Sequence, residues 1–303
     1  MVAPVVHCES NARRALPCRD LPVTLRETEA APAFEFLEFD KGRLIVNRRF
    51  VDIFHQNGLL TFESLYSWNV GQVVRRIKSR STTRIELNDA GGRRAFYLKR
   101  HEPPQFQEWL RPLLNLGRPV LGSRNEWNAI QWFHAAGIPT MTPVAFGEAD
   151  GRSLLVTEDL QSNVTLLDWV NSFCDAGPKR PNDELQRALI ARVAALACRM
   201  HQAGIHHQDF YLNHMLLCGH PSTLDVRVID LGRAGRPGKL SRRWILKDLS
   251  QLDFSARRLS CADRLRFLRL YLGRPFSRSD RRLVRLIAVK SRRIAKHTAK
   301  HRL

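Results

Sequence analysis

Four charged residues occur in the order that phosphoryl transfer requires. Lys99 lies in a strand-like segment, and Glu126 follows near the start of the next predicted helix. Asp209 comes after a long predicted helix, and Asp230 follows a short apolar run. Phosphoryl transfer uses a Lys on the nucleotide phosphates, a Glu that positions it, an Asp that orients the acceptor hydroxyl, and an acidic metal ligand. The order therefore predicts phosphoryl-transfer chemistry with Asp209 as the acceptor-side base.

Some of these residues also fit ordinary structural roles. Taken alone, Lys99 is more typical of a solvated strand lysine, and only its place in the ordered set favours a phosphate contact. Ser123 and Glu126 have the spacing of a capping box. For Glu126, capping the helix is as typical a role as pairing with Lys99. Asp230 alone fits a turn after a buried strand, but its position downstream of Asp209 favours a metal ligand. The sequence leaves the two roles of Glu126 open.

Several histidines surround Asp209, which raises the alternative of a zinc site. They lack the accompanying cysteine or carboxylate spacing of such sites, so a structural role in the loop is favoured. The histidines concerned are His201, His206, His207 and His214.

The elements that must position these residues begin with a β-rich part. Strands are predicted at 73–77, 84–87, 94–100, 142–146 and 153–157. In the third of these, Phe96 and Leu98 alternate with Tyr97 and Lys99, so Lys99 projects opposite an apolar face. The pattern predicts a small antiparallel sheet.

A helical part follows the predicted sheet. Apolar residues recur at helical spacing from Leu185 to Met200, and the helix ends at Gly204. The remainder of the chain is mainly helical in pattern. We predict an α+β fold with a flexible extension at 1–45, a small β-rich amino-terminal lobe at 46–159 on the nucleotide-phosphate side, and a larger helical carboxy-terminal lobe at 160–303 that carries the catalytic loop.

Several segments resemble the lipopolysaccharide core heptose(I) kinase family, over about residues 47 to 294. The segments are RPVLGSRNEWNAIQWFHAAGIPTMTPVAFGE, TEDL, HHQDFYLNHMLL, VIDLGRA and RRWILKDLSQLDFSA. The resemblance implies the bilobal protein-kinase-like fold and an enzyme that uses ATP and Mg²⁺ to phosphorylate a heptose hydroxyl of the lipopolysaccharide inner core. It also implies work at the cytoplasmic face of the bacterial inner membrane.

The resemblance assigns roles to individual residues. Lys99 would hold the ATP phosphates with Glu126 as its partner, Asp209 would be catalytic, and Asp230 would bind the metal. The remaining assignments are Glu158 and Asp159 at the nucleotide hinge and Asp248 as a structural support beneath the catalytic loop.

The sequence departs from the kinase pattern at three places. Gln208 stands where an Arg usually precedes the catalytic Asp. His214 occupies the position of a second metal ligand, so either His214 or its neighbour Asn213 is expected to complete that site. The loop from Ser67 to Val74, which stands where kinases fold a glycine-rich flap, contains one glycine.

The net charge of +20 is concentrated at the carboxy-terminal end. Between Arg233 and Leu303 there are 22 basic and 4 acidic residues. A basic amphipathic helix with Leu283 and Ile287 on its apolar side favours an anionic membrane surface or an acidic protein partner. A solvated helix face is equally typical, and nucleic acid is disfavoured because no recognition motif is present.

Rival functions stay open at this point. A kinase fold does not determine the acceptor, so a small molecule or a protein side chain is an alternative to the glycolipid. A non-catalytic pseudokinase that binds nucleic acid through its basic tail is the alternative from another class. No segment has the length of a membrane helix or the pattern of a secretory signal, and no C-x-x-C pair occurs. We therefore expect a cytoplasmic protein, peripheral at the membrane.

Overall fold

Two hydrophobic cores, one under a β-sheet and one among helices, organise the computed structural model. It describes residues 34–77, 79–103, 122–162, 164–175, 183–219 and 225–301. The first core is built on β-strands and short helices and includes Phe50, Phe54 and Phe96. The second core joins helix, hairpin and loop residues and includes Phe133, Leu196 and Phe210.

A seven-stranded sheet, antiparallel throughout, covers the first core. Its strands are β1 (Phe36–Phe39), β2 (Leu44–Asn47), β3 (Gln72–Ile77), β4 (Arg80–Asp89), β5 (Gly92–His101), β6 (Pro143–Ala149) and β7 (Arg152–Glu158). Their spatial order is β1-β2-β6-β7-β5-β4-β3. Strand β5 therefore lies between β7 and β4, in the interior of the sheet.

The described residues also form eight α-helices. They are α1 (Val51–Gln56), α2 (Phe62–Tyr66), α3 (Arg124–Ala135), α4 (Leu166–Asp175), α5 (Asp183–Gln202), α6 (Arg242–Ser255), α7 (Cys261–Leu272) and α8 (Asp280–His301). A two-stranded antiparallel hairpin, β8 (Met215–Cys218) with β9 (Asp225–Val228), lies between α5 and α6. Asp209 precedes this hairpin and Asp230 follows it, so the hairpin brings the two loops together.

The alternation in β5 is present as predicted. Phe96 and Leu98 are fully buried in the first core, because an apolar residue at every second position faces the same side of the sheet. Lys99 lies opposite Thr82 of β4 and Leu155 of β7 and projects from the other face. The sheet thereby fixes Lys99 at the side where α3 packs.

One prediction about the amino-terminal part is wrong. The extension is predicted to reach residue 45, but Phe36–Phe39 pairs with Leu44–Asn47 in the sheet because these apolar residues add two strands beside β6. Strand β3 begins at Gln72, one residue before the predicted strand at 73–77, so the loop from Ser67 to Val74 ends within this strand. The connection between β3 and β4 comes after Ile77. Residues 1–33 lie outside the described residues.

Candidate active site

Lys99 and Glu126 form a buried ion pair between β5 and α3. The Nζ atom of Lys99 lies 2.6 Å from Oε1 of Glu126, and both side chains are largely shielded from water. Burial alone would lower the pKa of Lys99, but the charges of Glu126 and Asp230 outweigh it and raise that pKa. Lys99 is therefore a positive charge held in place for an anionic ligand.

The capping box predicted at the start of α3 is absent. Ser123 makes no side-chain cap bond, because its hydroxyl and its backbone N–H are engaged with Ser153 of β7. The Glu126 carboxylate reaches Lys99 instead of the helix start. Of the two roles left open for Glu126, the structure shows the ion pair.

Asn125, the neighbour of Glu126, connects α3 to the segment after Asp230. Its side-chain amide donates to the carbonyl oxygens of Gly232 at 2.8 Å and Ala234 at 3.0 Å. A Cβ added to Gly232 would lie 3.8 Å from Oε2 of Glu126 and 3.9 Å from Oδ1 of Asp230. The carboxylates of Glu126 and Asp230 thus line the same space.

Asp209 lies in a loop that a single histidine ties to the loop of Asp230. Nδ1 of His207 accepts from the backbone N–H of Asp209 at 3.2 Å, and Nε2 donates to the carbonyl of Ile229 at 3.1 Å. Complete burial lowers the pKa of His207, so the ring is neutral and keeps this donor and acceptor arrangement. This ring is therefore one of the contacts that hold the loop of Asp209 beside the segment that leads to Asp230.

Helix α6 supports the same loop from beneath through one of its faces. The Asp248 carboxylate accepts from the backbone N–H groups of His207 at 2.9 Å and Gln208 at 2.8 Å. Gln251, three residues later, donates to the Gln208 carbonyl at 2.5 Å and accepts from the N–H of Phe210. Gln208 has a φ of 71°, a conformation that is strained for a residue with a side chain. The bonds from α6 hold that strain in place.

Asp248 is fully buried and carries a further partner. His201 Nε2 lies 3.3 Å from its Oδ2, and His201 Nδ1 lies 2.9 Å from the hydroxyl of Tyr271. Burial would raise the pKa of Asp248, but the bond and charge of His201, with the His207 N–H, hold it below its ordinary value. Asp248 is therefore an anion at neutral pH, and its place matches the predicted structural support.

Asp230 carries the chemistry expected of a magnesium ligand. Its side chain is 47% exposed, and its backbone has a left-handed φ of 59° that points it out of the chain path. His214 Nδ1 donates to the Asp209 carbonyl at 2.8 Å, which leaves Nε2 facing Asp230 at 3.7 Å. Asn213 lies in the same short turn and is exposed. Mg²⁺ is commonly held by one or two carboxylates with phosphate oxygens and water, so Asp230 fits such an ion.

The carboxylates of the two predicted hinge residues pair with arginines of the sheet. Asp159 accepts from Nε of Arg84 at 2.8 Å, and Glu158 pairs with Arg94. Asp159 also donates its backbone N–H to the Ala95 carbonyl. These contacts fix the end of β7 where the chain leaves the sheet, and they leave both carboxylates engaged with arginine.

The alternative of a zinc site can be compared with the side chains in the part of the chain that the structure describes. No group of three or more His, Cys, Asp or Glu side chains lies there in a position to hold a metal ion. His206 stacks on Trp244 with ring centroids 4.5 Å apart, and His201 is bonded within the core. The histidines have structural contacts.

The sequence did not predict two basic residues that contact the loop of Asp209 from distant positions in the chain. Arg233 Nη1 lies 3.1 Å from Oδ1 and 3.3 Å from Oδ2 of Asp209. Lys247 Nζ lies 3.2 Å from Oε1 of Gln208. Asp248, Gln251 and Ser255 are three and four residues apart, so the sequence alone could have placed these polar side chains on one face of the helix. No local sequence pattern indicated that Arg233 pairs with Asp209.

Comparisons with known proteins agree on one family. The model of the lipopolysaccharide kinase (Kdo/WaaP) family matches residues 67–271. The lipopolysaccharide core heptose(I) kinase WaaP of Escherichia coli strain K12 is 36% identical over 242 residues, which cover 75% of this chain and 89% of the relative. The WaaP of Pseudomonas aeruginosa is 37% identical over 244 residues, which cover 77% of this chain and 87% of the relative.

A solved structure gives the same result for the fold. WaaP in complex with acyl carrier protein superposes with a TM-score of 0.65 at 33% sequence identity. The match covers 84% of this chain and 98% of that chain. The predicted α+β kinase-like fold is confirmed.

Proposed function

The chain belongs to the lipopolysaccharide kinase (Kdo/WaaP) family, and we infer that it is a kinase that phosphorylates a heptose hydroxyl of the lipopolysaccharide core. It is a phosphotransferase with an alcohol group as acceptor. The resemblance read from the sequence is confirmed by these matches.

The observation that carries the catalytic assignment is the grouping of three charged centres. The buried pair of Lys99 and Glu126, the exposed carboxylate of Asp230 and the loop of Asp209 are joined by Asn125 and His207 contacts. Phosphoryl transfer depends mainly on positioning and on electrostatic stabilisation. The fixed charge of Lys99 and the carboxylate of Asp230 supply electrostatic stabilisation. Asp209, which the β8–β9 hairpin brings close to Asp230, supplies positioning of the acceptor.

We propose a role for each of these residues. Lys99 binds the ATP phosphates, and Glu126 keeps its ammonium group in place. Asp209 accepts a hydrogen bond from the acceptor hydroxyl and takes its proton as the hydroxyl oxygen bonds to the terminal phosphorus. The bond between that phosphorus and the bridging oxygen breaks, and ADP leaves with the bonding electrons. Glu158 and Asp159 shape the hinge that receives the base of ATP through the chain that follows β7.

Asp230 would hold Mg²⁺ together with the ATP phosphates, and His214 or Asn213 would supply a further ligand. The ion, when bound, neutralises charge on the phosphate oxygens and so favours attack. The hydrogen bond from His214 to the Asp209 carbonyl links this ligand position to the catalytic loop.

We propose that the carboxy-terminal part contacts an anionic surface. Ile287 of α8 is buried, and Leu283 packs against the second core, so the apolar side of this helix is used within the protein. Arg285, Arg292 and Arg293 are exposed on α8. A contact with anionic lipid would therefore be mainly electrostatic, at the inner face of the bacterial inner membrane. No helix among the described residues has the length and apolar character needed to cross a bilayer.

Acyl carrier protein is a second proposed partner. The similar WaaP structure is a complex with acyl carrier protein, and this chain covers nearly all of that WaaP chain. The same basic surface is available for an acidic protein partner. Co-elution with acyl carrier protein in size-exclusion chromatography tests this, and separate elution at low salt would count against it.

An acceptor assay tests the kinase proposal. Purified protein is incubated with labelled ATP, Mg²⁺ and inner-core oligosaccharide that carries unphosphorylated heptose, alongside Asp209→Ala. Label should appear in the oligosaccharide with the wild type and be reduced by a factor of at least about 10² in the variant. Absence of Asp209-dependent transfer to any sugar would refute the proposal.

A further inference from the structure

A group of positive side chains borders the loop of Asp209 on the side of α6. It consists of Arg233, Arg243 and Lys247, which we call the cationic ledge. Arg233 contacts Asp209, and Lys247 contacts the neighbouring Gln208. Arg243 and Lys247 both contact the indole of Trp244, with distances of 5.1 and 5.5 Å from the ring centroid. The Trp244 ring stacks on His206, three residues before Asp209. The ledge therefore lies alongside the loop of Asp209.

Two of the three ledge residues form no ion pair among the described residues, and Arg233 pairs only with Asp209 there. Arg243 and Lys247 have no carboxylate within ion-pair distance there; Lys247 is bonded to a neutral amide. Burial, with the nearby charge of Arg233, lowers the pKa of Lys247. The first turn of α6 contains no acidic residue. Arg233 and Arg243 are exposed, whereas Lys247 is partly buried, and a partly buried cation beside another cation is stabilised when an anion joins it.

The contact between Arg233 and Asp209 conflicts with catalysis. One guanidinium nitrogen is shared between both oxygens of Asp209, so the acceptor hydroxyl must compete for the carboxylate. The Arg233 side chain is 53% exposed and can therefore move to another partner. An anion placed on the ledge would provide that partner.

We propose that the cationic ledge binds an anionic group, a carboxylate or a phosphate, that the acceptor carries close to the hydroxyl to be phosphorylated. Arg233 turns to this anion and leaves Asp209 free for the hydroxyl. Lys247 is the fixed part of the subsite, because Gln208 and Trp244 hold it on α6. The inference rests on the proposed kinase function and adds the chemical class of the acceptor: a charged sugar is used, and its neutral counterpart is disfavoured.

The test compares matched acceptors and variants. The acceptors are the inner-core oligosaccharide untreated, with its carboxylates methyl-esterified, and with its phosphates removed by phosphatase. The proteins are wild type, Lys247→Gln, Lys247→Arg, Arg233→Gln, and Arg49→Gln as a control that removes one exposed charge away from the loop. Circular dichroism melts establish that each variant is folded.

Neutralising the relevant anion should raise the KM of wild type for the acceptor about tenfold or more, since a charge-assisted bond is lost. The treatment that has this effect identifies carboxylate or phosphate. Lys247→Gln should show the raised KM with the untreated acceptor and no further rise with the neutralised one, and Arg233→Gln should lose the same discrimination. Arg49→Gln should behave as wild type, and Lys247→Arg, which keeps the charge, should retain the preference for the untreated acceptor. KM for ATP should be unchanged in all variants.

Equal KM of wild type for all three acceptors would overturn the inference while leaving the kinase proposal intact. So would a Lys247→Gln variant that loses the same factor with charged and neutralised acceptors. If wild type transfers phosphate to no acceptor, the kinase proposal fails, and isothermal titration with the same oligosaccharides decides the ledge separately. Tighter binding of the untreated form by wild type, lost in Lys247→Gln, supports the subsite; equal binding refutes it.

Discussion

Replacing Asp248 by Asn tests whether α6 sets the geometry of the catalytic loop. The carboxylate accepts from two backbone N–H groups at 2.9 and 2.8 Å and contacts His201 at 3.3 Å. The amide keeps one acceptor but places an NH₂ group against a donor, and it removes the negative charge from a fully buried site. Breaking a buried charge of this kind costs about 3 to 5 kcal/mol of unfolding free energy. That corresponds to a fall in melting temperature of roughly 6 to 15 °C.

The variant should also lose activity, because Gln208 is released from its strained φ and Asp209 is displaced with it. A displacement of about 1 Å at a catalytic group lowers kcat by about 10²-fold. The assays are differential scanning calorimetry and acceptor phosphorylation at saturating ATP. Asp175→Asn is the control, since Asp175 forms an exposed surface pair with Arg258 and should melt with the wild type. A melting temperature within about 2 °C of wild type, with kcat unchanged, would refute the bracing role.

Three further predictions concern other parts of the molecule. Glu126→Gln should lower kcat/KM for ATP by about 10- to 100-fold, and a Lys99→Met/Glu126→Gln double variant should be no worse than Lys99→Met alone; additive losses would contradict a shared role. Burial, with the charges of Arg80 and Lys99, lowers the pKa of His101 to about 4. The unfolded chain therefore binds a proton that the folded chain excludes, so unfolding free energy should fall by up to roughly 3 kcal/mol as pH drops from about 6.5 to 4. Denaturant titrations at several pH values should show that the unfolding free energy of His101→Gln depends less steeply on pH than that of wild type. An unchanged pH dependence would contradict the assignment. Co-sedimentation of the protein with vesicles should increase with the fraction of anionic lipid and decrease with salt. It should also decrease in an α8 variant that carries Arg292→Gln and Arg293→Gln. Binding that does not depend on lipid charge would count against membrane docking.

Local patterns predicted the elements that carry their own periodicity. Phe96 and Leu98 alternate with Lys99 on a strand, and the apolar spacing from Leu185 to Met200 gives the long helix α5. The order of the four charged residues then predicted the phosphoryl-transfer chemistry. The strand and helix patterns lie within short segments, and the order of the charged residues is read directly along the chain, so neither depends on knowing distant contacts.

Contacts between distant residues were not predictable in the same way. Ser123 was expected to cap its helix, but Ser153, thirty residues away in the chain, takes its hydroxyl. The strand at Phe36–Phe39 is stabilised by pairing with β2, so its own composition did not indicate it. Arg233 meets Asp209 only because the β8–β9 hairpin folds back between them. Each of these depends on tertiary pairing that overrides the local sequence.

The most direct test of the kinase assignment is the identity of the phosphorylated product. Wild type is incubated with ATP, Mg²⁺ and unphosphorylated inner-core oligosaccharide, and the product is analysed by ³¹P NMR correlated to the sugar protons, with Asp209→Asn in parallel. A single phosphomonoester on a heptose hydroxyl, formed by wild type and strongly reduced in Asp209→Asn, is the predicted result. Phosphate on no heptose, or equal product from Asp209→Asn, would contradict the account.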